Sequence, residues 1–406
     1  MTQESQEHLS WLDKPFLASF LQREHRNQVT IDKFSIAPAV AAGNNYMSYL
    51  YRVRVEYTVA ESDLKVTSLI IKIPITKGVI TEMSNDGTDL YDKEPRFYCE
   101  LLPKINKIFN CEFGPKSYNC PIKNGMILTD LIADGYITCD KYKLLDYSHC
   151  KCVISTLAKF HASSVVCFHD NPELIKEIGE EQFFTAENET VSLWLNCCMK
   201  SVWKVLCEME GQEQAANLYY SKIDHVTEIY ADLCKPKTDA LNVLNHGDLW
   251  VNNILFKHSD SGEVKDAKFI DFQTLRWGSP VSDLLYFIWT SANEEVREHR
   301  QTELYSLYRQ TLNSSLEQLG CLERLSDHEL EDQLRAASDF VLLVIGGTLP
   351  YMMCDADEVV NTEDLSAEDF KTGKCDEVLA KLFNSRRFKA ALPKIMEQFQ
   401  IWVSSK

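Results

Sequence analysis

Leu244 to Phe256 reads L-N-H-G-D-L-W-V-N-N-I-L-F, and a short way downstream Phe269 to Gln273 reads F-I-D-F-Q. The first stretch puts Asp248 on a turn after an apolar strand. Asn253 follows five residues later, where the next strand begins, and the second stretch ends an apolar strand on Asp271. Phosphoryl transfer asks little covalent chemistry of a protein: a carboxylate near the attacking hydroxyl, and hard oxygen ligands for magnesium. These residues supply both. Asp248 can orient a hydroxyl and take its proton, while Asn253 and Asp271 can hold Mg2+ against nucleotide phosphates. The spacing follows the catalytic-loop pattern H-R-D-x-x-x-x-N, with Gly247 in place of the arginine. Between Asn253 and Asp271 the chain reads as strand, polar Gly-containing turn and strand, a hairpin that brings the two metal ligands together. An isolated H-G-D is common by chance, but the combination with the asparagine spacing and the hairpin is far more specific.

The 406 residues leave room for two or three domains with large cores. A net charge of -18, with 60 acidic residues and no basic block to offset them, argues against nucleic-acid and anionic-membrane partners. Fourteen cysteines are scattered without the paired C-x-x-C spacings of a zinc site, and they read as reduced thiols. The N-terminal M-T-Q-E-S-Q-E-H is polar and acidic, unlike a signal peptide. The longest apolar run, Phe340 to Met353, has 14 residues and contains Gly346 and Gly347, too short to cross a bilayer. The expectation is a cytoplasmic enzyme with no nucleic-acid or membrane partner, a monomer or weak oligomer.

Along the chain, Asp13-Lys14-Pro15 marks the start of a short helix with Phe16, Leu17, Phe20 and Leu21 on its apolar stripe. Strands are expected over 29–36 and 49–59, joined by A-A-G-N-N-Y-M-S. This turn could cover phosphates through Asn44, Asn45 and Ser48, yet with Gly43 as its one glycine it reads equally as an ordinary strand connection. Lys72 interrupts the β-branched run of 64–75. It either snorkels at a sheet edge or is directed at an anionic partner. A helix over 90–108 carries Glu94, which can pair with Lys72, although Glu100 lies on the same helix. Asn124 to Leu131 reads as a strand running into I-A-D-G-Y, a hinge whose backbone at Thr129 and Leu131 can bind adenine. On this reading residues 1–130 form a nucleotide-binding lobe and 131–406 a second lobe with the catalytic loop, the magnesium site and an acceptor pocket.

The second half is mostly helical in pattern. His161 falls on the apolar stripe of a helix over 144–164, with no acid near it in sequence, and reads as structural. Ser279, Pro280 and Asp283 form a helix start. Asp283 serves equally well as a dipole partner or as a brace for the catalytic loop. The acidic segment 355–369 reads as solvated.

Taken together, Lys72, Glu94, H-G-D-L-W-V-N-N-I-L-F, F-I-D-F-Q, L-A-K-F-H-A-S-S and S-P-V-S-D-L-L-Y-F resemble the ecdysteroid kinase-like proteins of insects, relatives of choline kinases and aminoglycoside phosphotransferases. The resemblance runs from about Gly43 past Phe287. Trp250 and the doubled Asn252-Asn253 are its most specific marks. It implies an α+β, bilobal protein-kinase-like fold, with an antiparallel sheet in a small lobe and a mainly helical large lobe. It also implies Asp248 as catalytic base, Asn253 and Asp271 on magnesium, Lys72 on phosphate and Glu94 paired with Lys72. The sequence departs from the family at the glycine-poor turn around Gly43, and at Thr129, where E-D-L is frequent. The activity implied is an ATP- and Mg2+-dependent kinase of a small-molecule alcohol, an ecdysteroid or another hydroxylated lipophile. A steroid needs an apolar pocket with few polar anchors, for which Trp203, Trp277, Phe287, Trp289 and the 340–353 helix are candidates. Kinases of choline-like or xenobiotic alcohols, and a catalytically weak nucleotide- or small-molecule-binding protein, are the alternatives.

Overall fold

The computed structural model describes residues 8–40, 48–60, 63–75, 79, 81–82, 90–185, 187–355 and 365–405. Its contacts divide the chain into two compact units, residues 1–76 with 115–136 and residues 77–114 with 137–406.

The first unit is built on a five-stranded antiparallel sheet. In chain order its strands are β1 (Val29–Pro38), β2 (Ser48–Val59), β3 (Lys65–Pro74), β4 (Ser117–Tyr118) and β5 (Met126–Thr129), arranged β1-β2-β3-β5-β4. β-branched and aromatic residues alternate along β2, so Val53 and Val55 face a core shared with Ile31, Leu69 and Ile71. Helix α1 (Lys14–His25) contributes Leu17 and Leu21 to that core. Asp13 caps it as the sequence indicates, its carboxylate accepting from the Phe16 N–H at 2.8 Å, with proline in the first turn.

The second unit opens with α2 (Leu90–Arg96), a π-helical turn over Phe97–Leu101 and α3 (Leu102–Phe109). The expected single helix is therefore interrupted. Pro95 removes one N–H from the ladder and Pro103 another, and the wider turn between them takes up the mismatch. A boundary at 130 would place this segment in the first unit; the contacts place it in the second. The physical reason is Phe97, fully buried against Phe272 at 4.4 Å between centroids and against Phe160 at 6.2 Å. The first unit in turn runs on to residue 136.

Behind that cluster lies α4 (Tyr147–Asp170), whose length and composition would suffice to cross a membrane, yet 61% of its most apolar window is buried inside the fold. It lies alongside a later helix, α7 below, through Tyr147–Glu303 and His161–Tyr308 hydrogen bonds. Two small sheets carry the site. β6 (Ile137–Thr138), β8 (Ile254–His258) and β9 (Val264–Phe269) form one in the order β6-β8-β9, and β7 (Val243–Asn245) pairs with β10 (Arg276–Gly278) in the other. The rest is helical, including α5 (Val281–Ser291), α6 (Glu294–His299), α7 (Gln301–Gln318), α8 (Ser338–Gly347) and α9 (Arg386–Ser404). An α+β protein with an antiparallel sheet near its start and a mainly helical remainder is what the sequence implies. Within 355–369, residues 356–364 lie outside the described residues, and Ala367–Thr372 is a helix closed by a Ser366–Asp369 capping box rather than open loop.

Candidate active site

β7 ends at Asn245, and the next three residues, His246, Gly247 and Asp248, turn sharply. Gly247 has φ 84, and a Cβ there would lie 2.0 Å from the Thr274 carbonyl oxygen. No residue but glycine fits without moving the backbone, which accounts for glycine where the kinase pattern has arginine. The turn is clamped from below by Asp283, whose carboxylate accepts from the His246 N–H at 2.7 Å and the Gly247 N–H at 2.9 Å. Asp283 is fully buried at the start of α5, so of its two possible tasks the brace is realised. The helix starts one residue later than the sequence suggests, with Pro280 rather than Ser279 at the cap. Burial alone would raise the Asp283 carboxyl; the hydrogen bond and charge of His161 and the Gly247 N–H outweigh it and hold the group below the ordinary carboxylate range.

His161 is structural, but it does have an acid partner. Its Nε2 lies 3.2 Å from Asp283, 122 residues away in the chain, and its Nδ1 lies 2.7 Å from the Tyr308 hydroxyl. His246 is buried too. Its Nε2–H donates to the Ile270 carbonyl at 3.0 Å and its Nδ1 accepts from the Asp248 N–H at 3.3 Å, the pattern of a neutral ring. Burial lowers its pKa in the same direction. One imidazole thereby ties the Asp248 turn to the strand end that carries Asp271.

Asp248 is gripped on both oxygens. The Tyr286 hydroxyl donates to Oδ1 at 2.5 Å, and Asn253 Nδ2 donates to Oδ2 at 2.9 Å and to the Asp248 carbonyl at 2.9 Å. Desolvation, seconded by the nearby Asp271 charge, pushes the carboxyl up to about 7 against the pull of these two donors. The expected hairpin is present: β8 pairs with β9 from Ile254–Phe269 onward, and the Ile270 N–H donates to the Asn253 carbonyl at 3.0 Å. This brings Asn253 beside the strand end that carries Asp271. Asp271 adopts φ 68, a left-handed conformation that aspartate tolerates better than most residues. With the Asn253 nitrogen turned to Asp248, its amide oxygen is the atom left for a cation. That oxygen and the Asp271 carboxylate form a hard, all-oxygen donor set that fits Mg2+.

Two functional side chains escaped sequence reasoning. Tyr286 lies one helical turn after Asp283, and the i, i+3 relation in S-P-V-S-D-L-L-Y-F is the signal that could have exposed it. Arg276, 1% exposed, reaches the Gly247 carbonyl at 3.4 Å and pairs with Glu181 at 3.3 Å between the rings of Phe184 and Tyr230. Its partners lie 29 to 95 residues away in the chain, so no local pattern marks it.

The other candidates divide between the units. In the first, Lys72 is 7% exposed and sits in a central strand between Leu50 and Met126, not at a sheet edge. Ser48 begins β2 and is buried; Asn44 lies outside the described residues. The Thr129 N–H donates to the Lys116 carbonyl at 2.9 Å, so this donor is engaged within the sheet and not open to adenine. The Leu131 carbonyl accepts from Asp134 and Tyr136. At the hinge a side chain carries the structure: Asp130 is buried, paired with Arg52 at 2.7 Å and hydrogen-bonded by Ser68 at 2.7 Å. In the second unit Glu94 is 4% exposed, whereas Glu100 is exposed and paired with Arg96, which singles out Glu94 on that helix.

Two residues past Asp248, Trp250 and its neighbour Val251 line an open cavity of about 350 Å3, together with Trp289 and Thr290 one turn beyond Tyr286, with Leu349, Met352 and Ile395, and with several charged side chains. Of the aromatic candidates only Trp289 reaches it. Phe287 is wholly buried, Trp203 packs on Tyr220, and Trp277 stacks on Phe168 beside a different cavity. The candidate 340–353 helix is two, broken at Thr348 ahead of Pro350, and its second piece faces the cavity.

A turn that presents a doubly anchored carboxylate beside a pair of oxygen donors, two residues ahead of a cavity-lining tryptophan, suits a small-molecule kinase. The family model for the ecdysteroid kinase-like family matches residues 42–321, and the chain belongs to that family. Among solved structures the chain is similar to a Plasmodium vivax ethanolamine kinase, at 16% identity over 90% of this chain and 83% of that one, with a TM-score of 0.41. It is also similar to a choline/ethanolamine kinase family protein of Mesorhizobium loti, at 13% identity over 98% and 99%, with a TM-score of 0.39. No curated protein matches the chain.

Proposed function

We propose that this protein transfers the γ-phosphate of ATP to a hydroxyl of a small, largely apolar molecule, an ecdysteroid or another hydroxylated lipophile. The observation that carries the reading is Asp248, fixed by Tyr286 and Asn253 two residues ahead of Trp250, which with Trp289 lines a cavity. In the step proposed, the acceptor oxygen attacks the γ-phosphorus, the bond to the ADP oxygen breaks, and the hydroxyl proton passes to Asp248. A carboxyl titrating near 7 is matched to that task at neutral pH. Mg2+, held by Asn253 and Asp271, would neutralise charge on the phosphates. Lys72 is the first unit's group for the α- and β-phosphates, and Glu94 its proposed partner. The fourteen free thiols support a reducing compartment such as the cytoplasm.

The test is Mg2+-dependent transfer of labelled γ-phosphate to ecdysteroids, hydroxylated xenobiotics and choline-like alcohols, with Asp248→Asn as control. Label on a steroid or lipophile, absent in the control, supports the reading. Nucleotide binding with no transfer to any of the panel would point instead to a binding protein.

A further inference from the structure

The cavity lined by Trp250 and Trp289 is apolar on most of its wall, yet three cations line it, Lys141, Lys143 and Arg297, of which Lys143 is exposed and lies 3.9 Å from Asp140. Arg297 is 7% exposed. Its Nε donates to Gln398 Oε1 at 3.0 Å and its Nη1 donates to the Ala292 carbonyl at the end of α5. The helix terminus offsets part of the charge. Neither partner is an anion, and Arg297 has no carboxylate within 4.0 Å among the described residues, although the exposed Glu294 on the same wall acts on its charge. Lys141 has no carboxylate within 4.0 Å among them either, and Asp355, whose charge acts on it, is paired with Arg387 at 2.7 Å. Burial pushes both groups down from their ordinary values, Arg297 to about 10. Two carboxylates share the wall, Glu294 and Glu295. Both are exposed, and Glu295 faces Arg300 at 3.6 Å.

A buried cation with no carboxylate in direct contact is costly to the fold and is tolerated where an anion completes it. The same arrangement is hostile to a cationic acceptor. The Tyr142 face is already covered by the Arg387 guanidinium at 4.1 Å and by Lys141 itself at 5.1 Å, so it does not offer an open cage for a quaternary ammonium.

We infer that the cavity takes an amphipathic alcohol bearing an anionic group, a carboxylate, sulfate or phosphate ester, with Lys141 and Arg297 as the subsite for that group. The inference rests on reading this cavity as the acceptor site. The apolar wall of Trp250, Trp289, Leu349, Met352 and Ile395 holds the hydrocarbon body, the hydroxyl lies on the side of Trp250, two residues along the chain from Asp248, and the anion is received by Lys141 and Arg297.

The test compares three probes on the full chain by quenching of tryptophan fluorescence: cholate, a polyhydroxylated carboxylate; its neutral methyl ester; and choline. Cholate is expected to bind at least tenfold more tightly than the ester, with the preference shrinking as salt is raised, and choline more weakly than either. Lys141→Gln is expected to erase most of that preference. Arg297→Lys, which keeps the charge, should preserve it, while Arg297→Gln should not. Lys141 is half-buried, so its variant reports even if the Arg297 variants fold poorly. Equal binding of acid and ester, or a preference untouched by Lys141→Gln, overturns the subsite. Phosphate transfer from ATP is scored separately with Asp248→Asn. Asp248-dependent transfer with no anion preference sinks the subsite alone; anion preference with no transfer to any alcohol sinks the kinase reading and leaves the subsite.

Discussion

The Tyr286 hydroxyl and the Asp248 carboxylate are 2.5 Å apart, and Tyr286 sits on the helix whose first turn carries Asp283, the brace of the His246 and Gly247 backbone just ahead of Asp248. One rigid element therefore sets both where the catalytic turn lies and which way its carboxylate points. Trp289 and Thr290, one turn further along, line the cavity shared with Trp250. Part of that cavity wall and the carboxylate orientation are in this way carried by the same helix.

Tyr286→Phe removes one hydroxyl and leaves the ring in its buried place. A hydrogen bond to a charged group is worth about 1.5–3 kcal/mol, which corresponds to a roughly 10- to 100-fold fall in kcat. Because Tyr286 acts on the carboxylate, KM for MgATP should stay within a factor of about two. Steady-state kinetics of the variant checks both; a change confined to KM would assign Tyr286 to binding instead.

Asp248 should cost stability where it serves chemistry. Its folded pKa of about 7 lies above the ordinary value of 3.8, so the protonated form is the one the fold favours. The associated stability is fully present below pH 3.8 and is lost as pH rises through 7. Asp248→Asn keeps the shape without the charge, and it should raise the melting temperature at pH 8 while abolishing most turnover. After discounting for partial exposure the gain is about 1–2 kcal/mol. It should shrink toward zero as pH falls to 4. Thermal melts of both proteins at the two pH values check this.

Gly247→Ala meets the Thr274 carbonyl at 2.0 Å in a left-handed backbone. The turn must shift, and with it the Asp283 clamp and Asp248. The expected loss is about 2–4 kcal/mol of stability, with activity falling more steeply than the folded fraction. Chemical denaturation alongside turnover per folded molecule separates the two effects.

Much of this centre was legible because its parts are close in sequence. Asp248, Asn253 and Asp271 lie on one turn and one hairpin, so spacing and strand pattern were enough to bring them together. Asp283 was visible at a helix start, but only the fold decides between dipole partner and brace, since the N–H groups it accepts belong to residues more than 30 positions away. Arg276 and Lys93 left no trace at all. Lys93 is 6% exposed and donates to the carbonyls of Glu180 and Leu275, a use of a lysine that no periodicity announces. The segment 77–114 joins the second unit through aromatic packing of Phe97, which is likewise a long-range fact. At the hinge, attention to the backbone concealed Asp130, whose side chain ties β2 and β3 to the chain leaving β5.

Asp271→Asn separates the metal from the geometry. Asparagine accepts a left-handed backbone as readily as aspartate, so φ 68 is no obstacle and the strand end should hold. What is lost is one of two oxygen ligands' charge, and the Mg2+ concentration for half-maximal rate should rise at least tenfold. A second effect follows from proximity. The Asp271 charge helps to raise the Asp248 carboxyl, so removing it should move the acidic limb of kcat/KM downward in pH, not upward. A metal titration and a pH profile on the same variant read the two effects independently. A higher Mg2+ requirement without the downward shift would place Asp271 on the metal but electrostatically remote from Asp248; a shift without a change in Mg2+ requirement would leave it as a charge neighbour and not a ligand.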